Sequence, residues 1–146
     1  MDIYTISFFL STMWVGPFWF FMLVYPESER TELLMKGPWF FIGPIAIWFF
    51  TILMDPSALL DLFQEMSKPS SSFDALILLL STPAGALAAW AHMVAGDIIV
   101  TRWIWKRSMK MNTNVWVRRS SIFFGVMLMP VGLMIHVFMG QIKEDN

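Results

Sequence analysis

The stretch STPAGALAAWAHMVAGD, residues 81–97, decides how the fold is read. Ser81 and Thr82 place two hydroxyl side chains directly before Pro83, which is the sequence pattern of a helix N-terminus. No Asp, Glu, Lys or Arg follows until Asp97, and most of the intervening residues are Ala or Gly. Small residues let helices approach closely in lipid. The stretch therefore predicts a transmembrane helix at the centre of a helical bundle.

The start of this helix can be placed in two ways. The uncharged run alone spans 75–96, whereas the Ser-Thr-Pro signature starts the helix at Thr82 and carries it to residues 103–105. The second placement puts Asp97 about 15 residues, or ~22 Å, into the membrane. It also makes residues 73–80 a separate re-entrant or interfacial segment. We favour 82–105 for the helix and keep the run 75–96 as the alternative.

Composition supports a membrane protein. Of 146 residues, 57% are hydrophobic, and four runs without charge cover 3–26, 37–54, 75–96 and 120–142. A helix needs about 20 apolar residues to cross ~30 Å of hydrocarbon. We therefore predict an all-α fold: one transmembrane domain, 1–146, a four-helix bundle with helices at about 3–25, 37–54, 82–105 and 120–142. A short amphipathic interfacial segment is expected within 56–80, with Leu59, Leu62, Phe63 and Met66 on its apolar side.

Charge and cysteine content exclude several classes. The net charge of −1 supplies no basic field for nucleic acid. Cysteine is absent, which excludes disulfides and thiolate metal sites, and no other metal motif is present. A soluble domain would show amphipathic periods broken by charges, which the four runs lack. We expect an integral protein of a bacterial inner, photosynthetic or thylakoid-type membrane.

Lys and Arg indicate the orientation. Eight of the ten lie in the loops after the first and third predicted helices, and only Lys68 and Lys143 lie on the other side. The positive-inside rule places the side with eight basic residues in the cytoplasm. With four crossings, both termini are expected on the non-cytoplasmic side.

Polar residues inside a membrane are functional candidates. Here these are His92, Asp97, Arg102 and His136. Asp97 and Arg102 are five residues apart and so point ~140° away from each other on one helix. The alternatives to a functional role are that Asp97 links helices and that Arg102 extends to the lipid headgroups.

The two histidines raise the question of a haem or chlorophyll. With the third helix starting at residue 75, His92 and His136 differ in depth by ~16 Å; with a start at Thr82 the difference is ~6 Å. The first value is too large for both to bind one iron. A single histidine on a chlorophyll magnesium is the second possibility. The third is that His136 forms a hydrogen bond between helices.

Several motifs resemble the ABA4-like family of small membrane proteins, named for a plant member required to make neoxanthin. The resemblance covers residues 11–140. The residues that carry it are Tyr25-Pro26, Ala89-Trp90-Ala91-His92, Asp97-Ile98-Ile99, Arg102, Pro130-Val131-Gly132 and His136.

The resemblance implies a role in carotenoid or xanthophyll binding or conversion. The plant member is linked to an epoxide-opening isomerisation of violaxanthin. In an enzyme of this kind, Asp97 and His92 would be catalytic, as proton donor and shuttle, although they too lie ~140° apart on the helix. Trp90, His92, Arg102 and His136 would contact a carotenoid, a (bacterio)chlorophyll or bound lipids.

Two other functions stay open. The first is a non-catalytic accessory subunit of a photosynthetic reaction-centre or light-harvesting complex, which packs pigments and other transmembrane subunits. The second is a small transporter. With any of these functions, the protein is expected to have membrane lipids as partners.

Overall fold

The computed structural model describes residues 2–57, 60, 64, 67 and 72–140. All regular structure within these residues is helical, which confirms the all-α class. The predicted apolar residues Leu59, Leu62, Phe63 and Met66 lie outside the described residues. The helices are α1 (Ile3–Val24), α2 (Glu29–Lys36), α3 (Trp39–Met54), α4 (Ser72–Leu80), α5 (Pro83–Lys110), α6 (Val115–Met127) and α7 (Met129–Gly140).

Helix α5 starts where the Ser-Thr-Pro signature predicts. Thr82 has extended backbone angles, its hydroxyl accepts the Gly85 N–H at 3.0 Å, and Pro83 is the first helical residue. Residues 72–80 form the separate helix α4. The start at Thr82 is therefore confirmed over a start at residue 75. The helix ends at Lys110, beyond the predicted residue 105. It has 28 residues and a length of ~42 Å.

The bundle is built around α5. This helix packs against α1, α3, α4, α6 and α7. Leu87, Ala91, Ala95 and Ile98 along it are buried. Small residues such as Ala91 and Ala95 thus lie where neighbouring helices meet, and the central position of this helix is confirmed.

Three segments are long and apolar enough to cross a membrane: Ile3–Val24, Glu29–Met54 and Pro83–Lys110. The second combines α2 with α3. The sequence predicts only a polar turn at its start, yet Ser28 caps a helix there, with Glu29 and Glu32 in the first turn and Lys36 in the last. Acidic residues at the start of a helix and basic residues at its end interact favourably with the helix dipole and stabilise the helix. The described chain thus contains more helices than the four predicted.

The prediction of a single helix at 120–142 is wrong for the described residues, which form two helices there. Helix α6 ends at Met127 and α7 folds back against it, so that a side chain on Gly132 would collide with the backbone of Gly125. Gly140, the last residue of α7, lies next to Thr113, just before the start of α6. The two helices have 13 and 12 residues, or ~20 and ~18 Å. Each is too short to span ~30 Å of hydrocarbon. The pair forms a helical hairpin.

This hairpin also fixes where the described chain ends. Helices α1 and α5 run in parallel, since Thr12 bonds to Trp90 and Pro26 to Trp105. We call the end with Asp2, Met54 and Pro83 the pocket end, and the end with Pro26, Lys110 and Thr113 the basic end. The described chain therefore runs from the pocket end to Gly140 at the basic end. The prediction of both termini on one side depends on a fourth helix of membrane-spanning length, which the described residues do not contain.

Candidate functional site

A pocket of about 390 Å³ lies at the pocket end, between α3, α4 and α5. It exists because α4 turns sharply into α5: the Leu79 carbonyl lies directly against Gly85, where any side chain would collide with it. Small residues on α5 leave the space open. The lining is mainly apolar and includes Trp48, Ile52, Leu76, Leu79, Ala88 and Met93.

Two ionisable side chains line this pocket, Asp55 and His92. The ring of His92 is 6.5 Å from that of Trp48, centroid to centroid. Asp55 follows the last residue of α3, and its Oδ1 accepts the Ser57 hydroxyl at 2.7 Å. His92 was a predicted site residue, and Asp55 was not. One feature of the sequence could have indicated Asp55. It is the first charged residue after a predicted helix that runs antiparallel to the helix of His92.

Asp97 lies away from the pocket. It is five residues beyond His92, ~140° around α5, and shares a helix face with Thr101, one turn further on. The Thr101 hydroxyl donates to the Asp97 carbonyl at 2.7 Å and lies close to Gly125 of the hairpin. The structure does not bring Asp97 and His92 together. Of these two residues, only His92 lines the pocket and could contact a ligand there.

Trp90 joins two helices and does not line the pocket. Its indole N–H donates to the Thr12 hydroxyl at 2.9 Å, and its ring lies 5.0 Å from that of Phe8. In lipid an unpaired N–H is costly, so this contact holds α1 against α5.

Arg102 has a structural position as well. Its Nε donates to the Met35 carbonyl at 2.8 Å, and its guanidinium lies 5.1 Å from the centre of the Phe40 ring. Met35 belongs to the last turn of α2, where unpaired carbonyls carry partial negative charge. Arg102 thus caps α2, a contact that the sequence did not predict, and its extension to the headgroups stays a prediction.

His136 is buried at the base of the hairpin. Its Nδ1 lies 3.2 Å from the Ser108 hydroxyl, and its ring meets Trp103 edge to face. The prediction of a hydrogen bond between helices is confirmed. Residues 92 and 108 are ~24 Å apart along α5, so the two histidines cannot bind one haem iron.

Further polar contacts that the sequence did not reveal connect helices at the basic end. Trp105 donates to the Pro26 carbonyl at 3.0 Å. Buried Arg118 donates to Glu27 at 3.0 Å. Two indole N–H groups of α1 add links nearer its middle: Trp14 to the Trp39 carbonyl at 2.7 Å and Trp19 to the Ile122 carbonyl at 3.2 Å.

The described residues contain no group of three or more His, Asp or Glu that could hold a metal ion. The pocket end therefore offers an apolar cavity with two ionisable groups, and the basic end offers a framework of polar contacts between helices.

Comparison with known proteins places the chain among relatives. The family model described as ABA4-like, ABA DEFICIENT 4-like, matches residues 6–136. The chain is similar to the protein ABA DEFICIENT 4, chloroplastic, of Arabidopsis thaliana: 25% of residues are identical over 137 positions, which cover 88% of this chain and 58% of that protein. The chain thus spans well under two thirds of the length of the curated relative it matches. No solved structure matches it.

Proposed function

The chain belongs to the ABA4-like family, and we propose that it is an integral membrane protein that binds a carotenoid of the xanthophyll type in the pocket between α3, α4 and α5. The observation that carries this proposal is the combination of an apolar cavity with two ionisable groups on its wall. The family resemblance adds the substrate class, since it implies carotenoid or xanthophyll binding or conversion.

The pocket suits one end of such a molecule. Its volume falls in the range of ~300–1,000 Å³ typical of small-molecule sites, which are mostly apolar with few polar groups. The aromatic face of Trp48 and the leucines of α4 would contact the apolar ring. Asp55 and His92 would bond to an oxygen on it. The polyene would continue along the apolar outer surface of the helices, in lipid.

If the protein also converts its ligand, the position of the pocket changes which residues we assign as the catalytic acid and base. Isomerisation of an epoxide needs an acid at the epoxide oxygen as the C–O bond breaks, and a base that takes a proton from carbon. Because Asp97 lies on another face of α5, we assign these roles to His92 and Asp55 instead. The elemental composition of the carotenoid stays the same.

Binding can be tested with a matched pair of substitutions. Ala88 lines the pocket, whereas Ala86 is exposed on the same helix and does not. We expect violaxanthin added to the detergent-purified protein to give an induced visible circular dichroism signal. Ala88→Phe should abolish the signal by filling the cavity, and Ala86→Phe should retain it. Equal signals from both variants would reject the pocket as the site.

Conversion has its own test. The product of an isomerisation differs in chromatographic retention and not in mass, so we would follow retention after incubation with violaxanthin. His92→Gln and Asp55→Asn should stop conversion, and Asp97→Asn should leave it intact. Loss of activity in Asp97→Asn alone would contradict the assignment made here.

The accessory-subunit reading stays a second proposal. Large apolar side chains on the outer surface, such as Leu53 and Phe73, would serve either lipid or a neighbouring subunit. Co-purification with pigment–protein subunits from a photosynthetic membrane, with no pigment bound to the isolated chain, would favour it.

We also propose the sidedness. Counting basic residues by the positive-inside rule places the basic end in the cytoplasm, which puts Gly140 on the cytoplasmic side and Asp2 on the opposite side. Accessibility of single cysteines introduced at residues 2 and 140 in sealed vesicles would test it.

A further inference from the structure

Two apolar grooves lie on either side of α1 at the basic end. Each is lined by α1 and has one arginine and one exposed tryptophan in its wall. The α6 groove, about 470 Å³, is lined by Leu23, Val24, Trp116, Arg119, Phe123 and Phe124. The α2 groove, about 480 Å³, is lined by Phe18, Phe21, Arg30, Leu33, Leu34 and Trp39.

The charge around the α6 groove is positive. Helix α6 contains Arg118 and Arg119 and no acidic residue. Arg118 is buried and paired with Glu27. Arg119 is exposed, and the described residues offer it no ion pair within 4.0 Å. An apolar groove therefore carries an arginine whose charge no described residue neutralises.

The charge around the α2 groove is different. Arg30 has Glu29 before it and Glu32 two residues after it in the same short helix. Helix α2 as a whole carries two acidic and two basic residues, and Glu29 and Glu32 line a neighbouring groove together with Lys36 and Lys106. The two grooves are alike in size and in their Arg–Trp composition, and they differ in local net charge.

We propose that the α6 groove binds one anionic glycerophospholipid. An acyl chain lies against Leu23, Phe123 and Phe124. The Arg119 guanidinium bonds to the lipid phosphate, for which its paired N–H groups are well shaped. Trp116, which is 76% exposed, lies at the level of the glycerol, where tryptophan is enriched in membrane proteins. Anionic lipids and basic residues attract each other at this face of a bilayer.

Native mass spectrometry of the detergent-purified protein tests the proposal. The probes are phosphatidylglycerol and phosphatidylcholine with identical acyl chains. We expect tighter binding of phosphatidylglycerol. Arg119→Gln should weaken it about fivefold, the equivalent of ~1 kcal/mol for one basic residue near an anionic surface. Phosphatidylcholine should be weakened less, because the choline charge already offsets its phosphate. Arg30→Gln should have a smaller effect, because α2 carries as many acidic as basic residues whereas α6 carries two arginines and no acidic residue.

Lys110→Gln is the matched control. Lys110 is an exposed basic residue of the last turn of α5 and lines neither groove. It should leave both lipid affinities unchanged. An equal loss in Lys110→Gln and Arg119→Gln would show a diffuse field and overturn the proposal, as would equal binding of the two lipids. The thermal midpoint of Arg119→Gln, measured by circular dichroism, checks that its fold is retained.

A free phosphate ion could use the same guanidinium. Competition with inorganic phosphate and with water-soluble glycerol phosphate separates the two sources. We expect neither to displace phosphatidylglycerol at concentrations equal to that of the lipid, because the apolar groove contributes to lipid binding alone. Displacement at equal concentration would show a phosphate site and contradict the lipid assignment.

Discussion

The two ends of α5 are built differently. At the pocket end, Ala and Gly leave a cavity against α3 and α4, and His92 makes no hydrogen bond to a described residue. At the basic end, Trp105, Arg102 and Arg118 each bond to another segment. The difference suggests a division of roles. Polar contacts at the basic end fix the positions of α2 and the hairpin and add to the Trp90–Thr12 bond in holding α1, whereas the pocket end offers the cavity for the proposed ligand.

The largest effect on stability is expected at the contact between the hairpin helices. A Cβ at Gly132 would collide with the backbone of Gly125, whereas a Cβ at Gly96 meets no atom within 4 Å. Gly132→Ala should destabilise the protein at the upper end of the ~1–3 kcal/mol typical of overpacking. Gly96→Ala should instead stabilise α5, by up to ~1 kcal/mol. Unfolding in mixed micelles measures both; the same sign for the two would disprove the close contact.

A smaller loss is expected from the bond between Trp105 and Pro26. Trp105→Phe keeps an aromatic ring and leaves the Pro26 carbonyl without its donor, which should cost ~1–2 kcal/mol. Trp116→Phe is the control, because Trp116 is 76% exposed. If the control is equally destabilised, the loss reflects ring volume and not the hydrogen bond.

The pocket end should tolerate change. His92→Gln alters an exposed side chain that has no hydrogen bond to a described residue, so its stability should stay within ~0.5 kcal/mol of the parent, while pigment binding falls. The same mixed-micelle unfolding provides the check. A loss comparable to that of Trp105→Phe would mean that the pocket end is part of the framework too.

The smallest effect concerns Asp2, at the start of α1. Its pKa is lowered from 3.8 because its carboxylate accepts the backbone N–H and the hydroxyl of Thr5. A lowered pKa in the folded state means that the charged form stabilises the helix start above the ordinary pKa. That contribution is lost as the pH falls through the lowered value. The protection of the Thr5 amide, measured against its intrinsic exchange rate at the same pH, should therefore fall in acid, and Asp2→Asn should remove this pH dependence.

Local signals in the sequence predict much of this fold. Thr82 and Pro83 gave the correct start of α5, because capping depends on neighbouring residues alone. The hairpin was missed because the uncharged run 120–142 has the length of a crossing. Its reversal after Leu128 depends on contact between Gly125 and Gly132, which no local pattern reveals.

The site was only partly predictable for a similar reason. A predicted position inside the membrane makes His92 and Asp97 equally good candidates for site residues. Only the packing of α3 and α4 against α5 shows that His92 lines the pocket. The bond from Arg102 to Met35 could not be predicted, because residues 29–36 were expected to belong to a loop and not to a helix.

Hydrogen exchange with and without violaxanthin tests the division between the two ends most directly. We expect added protection in residues 48–54 and 72–93, which form the pocket, and unchanged exchange in the hairpin, residues 115–140. Protection centred on the hairpin and Asp97, with none around the pocket, would contradict the proposed site.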